Sequence, residues 1–218
     1  MAPTLLLDLD GTLTDPAPGI LGGARAALTA MGREIPAEND LLSMIGPPIR
    51  VSFRRLLGEE GDVEEGVRLY RAYVAERGLK EAAVYPGIFE ALAELREAYA
   101  GRVFLCTAKS QPFAEATADH FGLRPYLAGV YGAEPGGRFE DKAELIAHMI
   151  GAEGIDPARA VMVGDRSYDM VAARKNGLTA IGALWGYGSE AELLDAGAHA
   201  LCATPRDLPA SAWLSEPQ

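Results

Sequence analysis

Lysine is scarce in this chain. Lys80, Lys109, Lys142 and Lys175 are the only four among 218 residues, and acids outnumber bases by 31 to 20. The resulting formal charge of −11 sets up a field that repels polyanions, so nucleic acid and anionic membrane are not expected as partners. A small phosphorylated metabolite would need local positive charge or a bound cation to approach. Cysteine is nearly absent: Cys106 and Cys202 are too few and too far apart for a disulfide framework, and a reducing, cytoplasmic compartment is expected. The N-terminus shows no basic stretch leading into an apolar run and cleavage site. Apolar runs reach only five or six residues, far short of a membrane span. Monomer and homodimer are both open.

Those short apolar runs recur, with helical patterns between them. Residues 4–8, 102–107, 127–131, 160–164 and 179–184 read as strands, with 200–202 a short edge piece. Continuous apolar runs of this length suit strands buried on both faces, as in a parallel sheet. The intervening helices carry start and stop signals. Asp141 and Ser189 are cap-like, with Glu144 and Glu192 three residues on, and Gly122 and Gly177 fit the position just past a helix end. Strand–helix alternation predicts an α/β fold, a doubly wound, Rossmann-like parallel sheet.

Residues 16–81 break the alternation. The segments 20–31, 38–45, 49–57 and 63–77 are helical in pattern, and most are separated by glycine and proline. The expected organisation is a discontinuous core, 1–15 and 82–218, with an inserted helical domain, 16–81. Phe53, Tyr70 and Tyr73 are expected in the core of that insertion.

Chemistry-bearing residues gather at predicted strand ends. Asp8 and Asp10 lie two apart, so both side chains should point to one side, and Gly11 follows where the chain must turn. Thr107 ends the second long strand. Asp165 follows the fourth, and Asp169 lies about one helical turn later. Ligands of open α/β sheets bind at the carboxyl ends of strands. Several carboxylates converging there would repel each other unless a hard divalent cation joined them, and Mg²⁺ takes a few carboxylates plus water and phosphate oxygens.

The run Asp8-Leu9-Asp10-Gly11-Thr12-Leu13-Thr14-Asp15, then Thr107, then Gly164-Asp165-Arg166-Ser167-Tyr168-Asp169 resembles the successive motifs of haloacid dehalogenase-type phosphatases. The helical insertion resembles their type-1 cap. The resemblance implies that Asp8 attacks phosphorus and becomes an aspartyl-phosphate. Asp10 would act as acid and then base. Asp8, the backbone carbonyl of Asp10, and Asp165 would hold Mg²⁺, with Asp169 supporting the site. Thr107, the amide of Ala108 and a lysine would bind phosphate. Lys142 stands where the family places that lysine, and Lys109 is its rival.

The resemblance also orders the alternatives. Asp10 disfavours dehalogenation, and no lysine precedes Lys80, which disfavours a Schiff-base phosphonate hydrolase; a phosphomutase remains open. The reading of another class is a non-catalytic phospholigand-binding protein on the same fold, which loss of Asp8, Asp10 or Asp165 would have favoured. Within the family, 43–50, 84–88 and 186–189 resemble segments of phosphoglycolate phosphatase-like and 5′-nucleotidase-like members. Gly46 and Arg50 are accordingly expected to read the substrate's leaving group.

Overall fold

The computed structural model describes residues 3–58 and 60–213. Lys80's side chain and the last five residues of the expected core, 214–218, lie outside the described parts. Six parallel strands form the central sheet: β1 (Thr4–Leu7), β4 (Val103–Ser110), β5 (Gly129–Ala133), β6 (Ala160–Gly164), β7 (Thr179–Ala183) and β8 (Ala200–Cys202). Their order across the sheet is β5-β4-β1-β6-β7-β8. The chain therefore winds outward one way from β1 and then the other, and the reversal opens a crevice above β1, where α/β sheets place their ligands.

Alternation along each strand feeds two apolar layers. Leu5 and Leu7 of β1 face one layer with Val103, Leu105, Val161 and Val163. That layer is covered by α5 (Ile88–Ala98) and α6 (Gln111–His120). Leu6 faces the other with Phe104, Cys106 and Met162, beneath α7 (Lys142–Glu153), α8 (Ser167–Lys175) and α9 (Glu190–Asp195). The doubly wound α/β sheet is as expected. A short α10 (Leu208–Trp213) follows β8.

Between β1 and α5 the chain forms α1 (Ala17–Ala30), α2 (Glu38–Leu42), α3 (Ile49–Leu57) and α4 (Val63–Glu76). They enclose an apolar cluster of their own, built around Leu28, Leu41, Ile45, Phe53 and Val67. The start of α4 is set by Asp62, whose carboxylate accepts the Glu65 N–H, a side-chain cap that satisfies an otherwise orphaned donor. Two strands escape sequence patterning. β2 (Thr14–Asp15) and β3 (Ala83–Val84) pair antiparallel at the two points where the chain leaves and re-enters the core.

β4 also differs from its expected end. It continues past Thr107 to Ser110, and its pairing with β5 shifts register between Cys106 and Ser110. A bulge of this kind re-aims side chains at a strand end, and Thr107, Ala108 and Lys109 occupy it.

Candidate active site

The floor of the crevice is the turn that ends β1. The Asp8 N–H donates to the Val163 carbonyl at 2.9 Å, and the Gly11 N–H donates to the Thr14 carbonyl at 2.7 Å. Gly11 turns the chain with a φ of 87°, the left-handed region that glycine enters without a Cβ penalty. A Cβ there would also lie within 2.2–2.6 Å of the Asp165 carboxylate. The turn buries Leu9 completely and leaves Asp8 and Asp10 lining one cavity.

Asp8, Asp165 and Asp169 converge. One carboxylate oxygen from each lies within 4.8 Å of the others, and all three residues are buried. Asp165 accepts the Thr12 hydroxyl at 3.3 Å and the Tyr187 N–H at 2.8 Å. Asp169 accepts the Arg166 N–H at 3.1 Å and is bonded to the Lys142 ammonium. Burial, with the charges of Asp169 and Asp8 beside it, pushes Asp165 up to about 8. Burial also raises Asp169, to about 6, against the pull of Lys142. Both shifts measure how poorly a cluster of buried carboxylates tolerates ionisation without further positive charge.

Lys142 supplies part of that charge. It starts α7, is 5 % exposed, and places its Nζ 3.0 Å from Asp8 Oδ1. The contact is an ion pair without hydrogen-bond geometry, so Asp8 Oδ1 has no hydrogen-bond partner among the described residues. Burial alone would push Lys142 down, but Asp169 and Asp8 reverse the effect and hold it raised and charged. An orphaned carboxylate oxygen inside three clustered acids is a donor set that fits a hard divalent cation. Asp8, Asp165 and Asp169 are the side chains that would hold it. Asp10 is outside the cluster. Both its oxygens accept from Lys109 Nζ, at 2.9 and 2.6 Å.

The cavity above this floor has a volume of about 80 Å³. Thr107, Ala108 and Lys109 line it from the core; Gly46, Pro47, Tyr70 and Arg71 line it from the helical insertion. Gly46 has a φ of 104°, and a Cβ there would lie 2.5 Å from Arg166 Cγ, so the turn rests on the residue next to Asp165. The Arg166 guanidinium is bonded to the Ile45 carbonyl and donates from Nε to Glu192 at 3.0 Å.

Arg50, expected to read the leaving group, is not among the residues that line this cavity. Its guanidinium is held by Glu64, at 2.7 and 3.1 Å, and by Glu140, which itself lines the cavity. Two carboxylates outcompete an open cavity for a cation. The arginine on the wall is Arg71, on α4, which sequence patterning did not single out. Tyr70 serves two surfaces: it packs edge-on against Phe53, centroids 5.9 Å apart, and it lines the cavity. Phe53 is fully buried in the insertion as expected, whereas Tyr73 is half-buried with its hydroxyl on Glu81.

The model of the haloacid dehalogenase-like hydrolases matches residues 5–183. The chain belongs to that family. It is 38% identical over 195 residues to a 5′-nucleotidase of Pseudomonas aeruginosa, covering 88% of this chain and 86% of that one. It is 37% identical to tyrosine-protein kinase PtkA of Mycobacterium tuberculosis, covering 88% of this chain and 65% of that longer protein. A phosphoglycolate phosphatase of Caulobacter vibrioides is 30% identical, with 86% and 81% covered. Among solved structures, a predicted phosphatase from Clostridium acetobutylicum superposes with a TM-score of 0.93 at 30% identity, covering 98% and 99%. For a haloacid dehalogenase-like hydrolase, the sequence motifs and the convergent carboxylates fall on the same residues. No helix among the described residues is long and apolar enough to cross a membrane.

Proposed function

We propose that this hydrolase is a Mg²⁺-dependent phosphatase that cleaves small phosphate monoesters through an aspartyl-phosphate on Asp8. The observation that carries this reading is the buried set Asp8, Asp165 and Asp169 at the floor of a cavity, with Lys142 between Asp8 and Asp169. Asp8 presents a carboxylate oxygen to the cavity as the nucleophile. Asp10, on the cavity side of the turn, donates a proton to the leaving oxygen and then takes one from the attacking water. Thr107 and the amide of Ala108 bind phosphoryl oxygens beside the Lys142 ammonium, which offsets charge as the phosphorus–oxygen bonds rearrange. A bound Mg²⁺ would supply further charge neutralisation and hold a phosphoryl oxygen near Asp8.

Residues 16–81 act in this proposal as a lid over the floor, hinged where β2 pairs with β3. Closure would exclude water from the reacting atoms. The kinase name of one relative raises a different acceptor, a hydroxyl in place of water, for the same phosphoryl-enzyme. The tight cavity, about 80 Å³, favours water, which is small enough to enter beside a departing alcohol. The test is release of inorganic phosphate from an aryl phosphate with and without Mg²⁺. Release that needs the ion and is lost on chelation is expected. Turnover in metal-free buffer, or phosphate recovered only on an added alcohol, would refute the reading.

A further inference from the structure

Five charged side chains line the cavity: Asp8, Asp10, Glu140, Lys109 and Arg71. Each of the three acids meets a cation, although Lys142 is shared with Asp169. Lys142 Nζ is 3.0 Å from Asp8, Lys109 Nζ is 2.6 Å from Asp10, and Arg50 holds Glu140. Arg71 makes no hydrogen bond or ion pair among the described residues; the acid that feels its charge is Glu64, which Arg50 already holds. In a chain of formal charge −11, Arg71 is thus the one charged side chain lining this cavity that makes no ion pair among the described residues.

Lys109 adds a donor. An ammonium has three donors, and two are spent on the Asp10 oxygens. The third is free to reach a ligand. Asp10 is the group that protonates the leaving oxygen, so Lys109 sits within one hydrogen bond of the leaving group. The phosphoryl group is served separately, on the floor, by Thr107, Ala108 and Lys142. Arg71, on α4, lines the same cavity from the insertion.

We propose that Arg71 and Lys109 form a subsite for a second anionic group on the substrate, and that the substrate class is a short phosphomonoester bearing a carboxylate. The inference rests on the phosphatase reading above and extends it to the leaving group. A guanidinium fork matches the two oxygens of a carboxylate. Ile20, Met44 and Ile49 complete the wall and suit a short carbon linker. Size points the same way: about 80 Å³ is well below the roughly 300 Å³ at which sites for drug-sized ligands begin. A nucleoside would have to extend beyond this cavity, toward the larger space of about 570 Å³ that shares Gly46, Ala108 and Glu140 with it.

The experiment compares kcat/KM for 2-phosphoglycolate, ethyl phosphate (the same ester without a carboxylate), a nucleoside 5′-monophosphate and p-nitrophenyl phosphate. Wild type, Arg71→Met and Arg71→Lys are measured in parallel. The wild type should prefer 2-phosphoglycolate to ethyl phosphate by roughly 10- to 100-fold, the range of a hydrogen-bonded charge. Arg71→Met should collapse that preference at least tenfold, mainly through KM, and Arg71→Lys should recover part of it. Equal handling of the two esters by wild type would overturn the subsite. So would a loss in Arg71→Met that is the same for every ester, which would assign Arg71 to the phosphoryl group or to folding. Preference for the nucleoside monophosphate would overturn the substrate class. If wild type hydrolyses no ester at all, p-nitrophenyl phosphate included, the phosphatase reading itself fails and takes the subsite with it.

Discussion

Replacing Lys142 by methionine removes the one ammonium that touches both Asp8 and Asp169 while keeping the side chain's length and apolar stem. Two separate losses should follow. The first is in folding. Lys142 is 5 % exposed and Asp169 1 %, and breaking a buried ion pair from one side typically costs about 3–5 kcal/mol, because the remaining charge is left without a partner. Three buried carboxylates would then share the floor without the ammonium. The loss should be largest in metal-free buffer and shrink when Mg²⁺ replaces the missing charge. The second is in catalysis. A well-placed donor to developing charge contributes roughly 3–4 kcal/mol, or a factor of about 10²–10³ in kcat.

Thermal melts with chelator and with Mg²⁺ read the first, and phosphate release from p-nitrophenyl phosphate at saturating Mg²⁺ reads the second. Lys109→Met provides the comparison. Lys109 is more exposed, at 16 % against 5 %, and it touches Asp10 rather than Asp8, so its loss in kcat on the aryl phosphate should be smaller. A Lys142→Met protein that melts like wild type in chelator and turns over within threefold of it would refute the electrostatic role. A more damaging Lys109→Met would transfer that role to Lys109.

Asp8→Asn should abolish turnover and the acid-stable trapped phosphoryl group with the melting temperature retained; labelled phosphate remaining on the variant after quenching would remove Asp8 as the nucleophile. Asp165, near 8, and Asp169, near 6, both lie above an ordinary aspartate, so the folded metal-free protein holds protons that the unfolded chain gives up. Its stability should be greatest below about pH 4 as far as these two groups go and fall as pH rises toward 8; melts in chelator showing no such decline, or one that Mg²⁺ does not relieve, would contradict the crowded-carboxylate account. Gly46→Ala forces a Cβ into Arg166 at a φ of 104°, and should lower kcat/KM on every ester while leaving the core's melting transition in place. Unchanged kinetics would show that the turn need not rest on Arg166.

The strands were legible because Leu5, Leu6 and Leu7 are buried on both faces, and a continuous apolar run is the mark of that environment. The helix at Ile49–Leu57 was legible because a periodic face ends at a glycine. The pair β2 and β3 was not, since two residues are too few to show a period and their partners lie about 70 positions apart. Lys142 was placed by motif order, which carries position along the chain and so survives folding. Arg50 was expected at the cavity and Arg71 was not singled out, because motif order carries no information on pairing. Both are arginines on helices of the insertion, and neither helix pattern says which one will meet Glu140, 90 residues away from Arg50. A cation's availability is decided by its neighbours in space.

The same limit applies to Glu192, which reads from sequence as half of a capping box with Ser189. Ser189 does accept the Glu192 N–H at 3.1 Å. The Glu192 carboxylate turns instead to Arg166 and to the Ser167 N–H, at 3.0 and 2.9 Å. Arg166 in turn holds the carbonyl of Ile45 in the insertion. A local cap motif has become one link in a chain from α9, past the residue beside Asp165, to the turn over the cavity. In the proposed lid, opening must break the Arg166–Ile45 contact, and the group released lies one peptide from Asp165. Under that proposal, closure and the geometry of the carboxylate floor would be coupled through Arg166, which Glu192 holds at 3.0 Å.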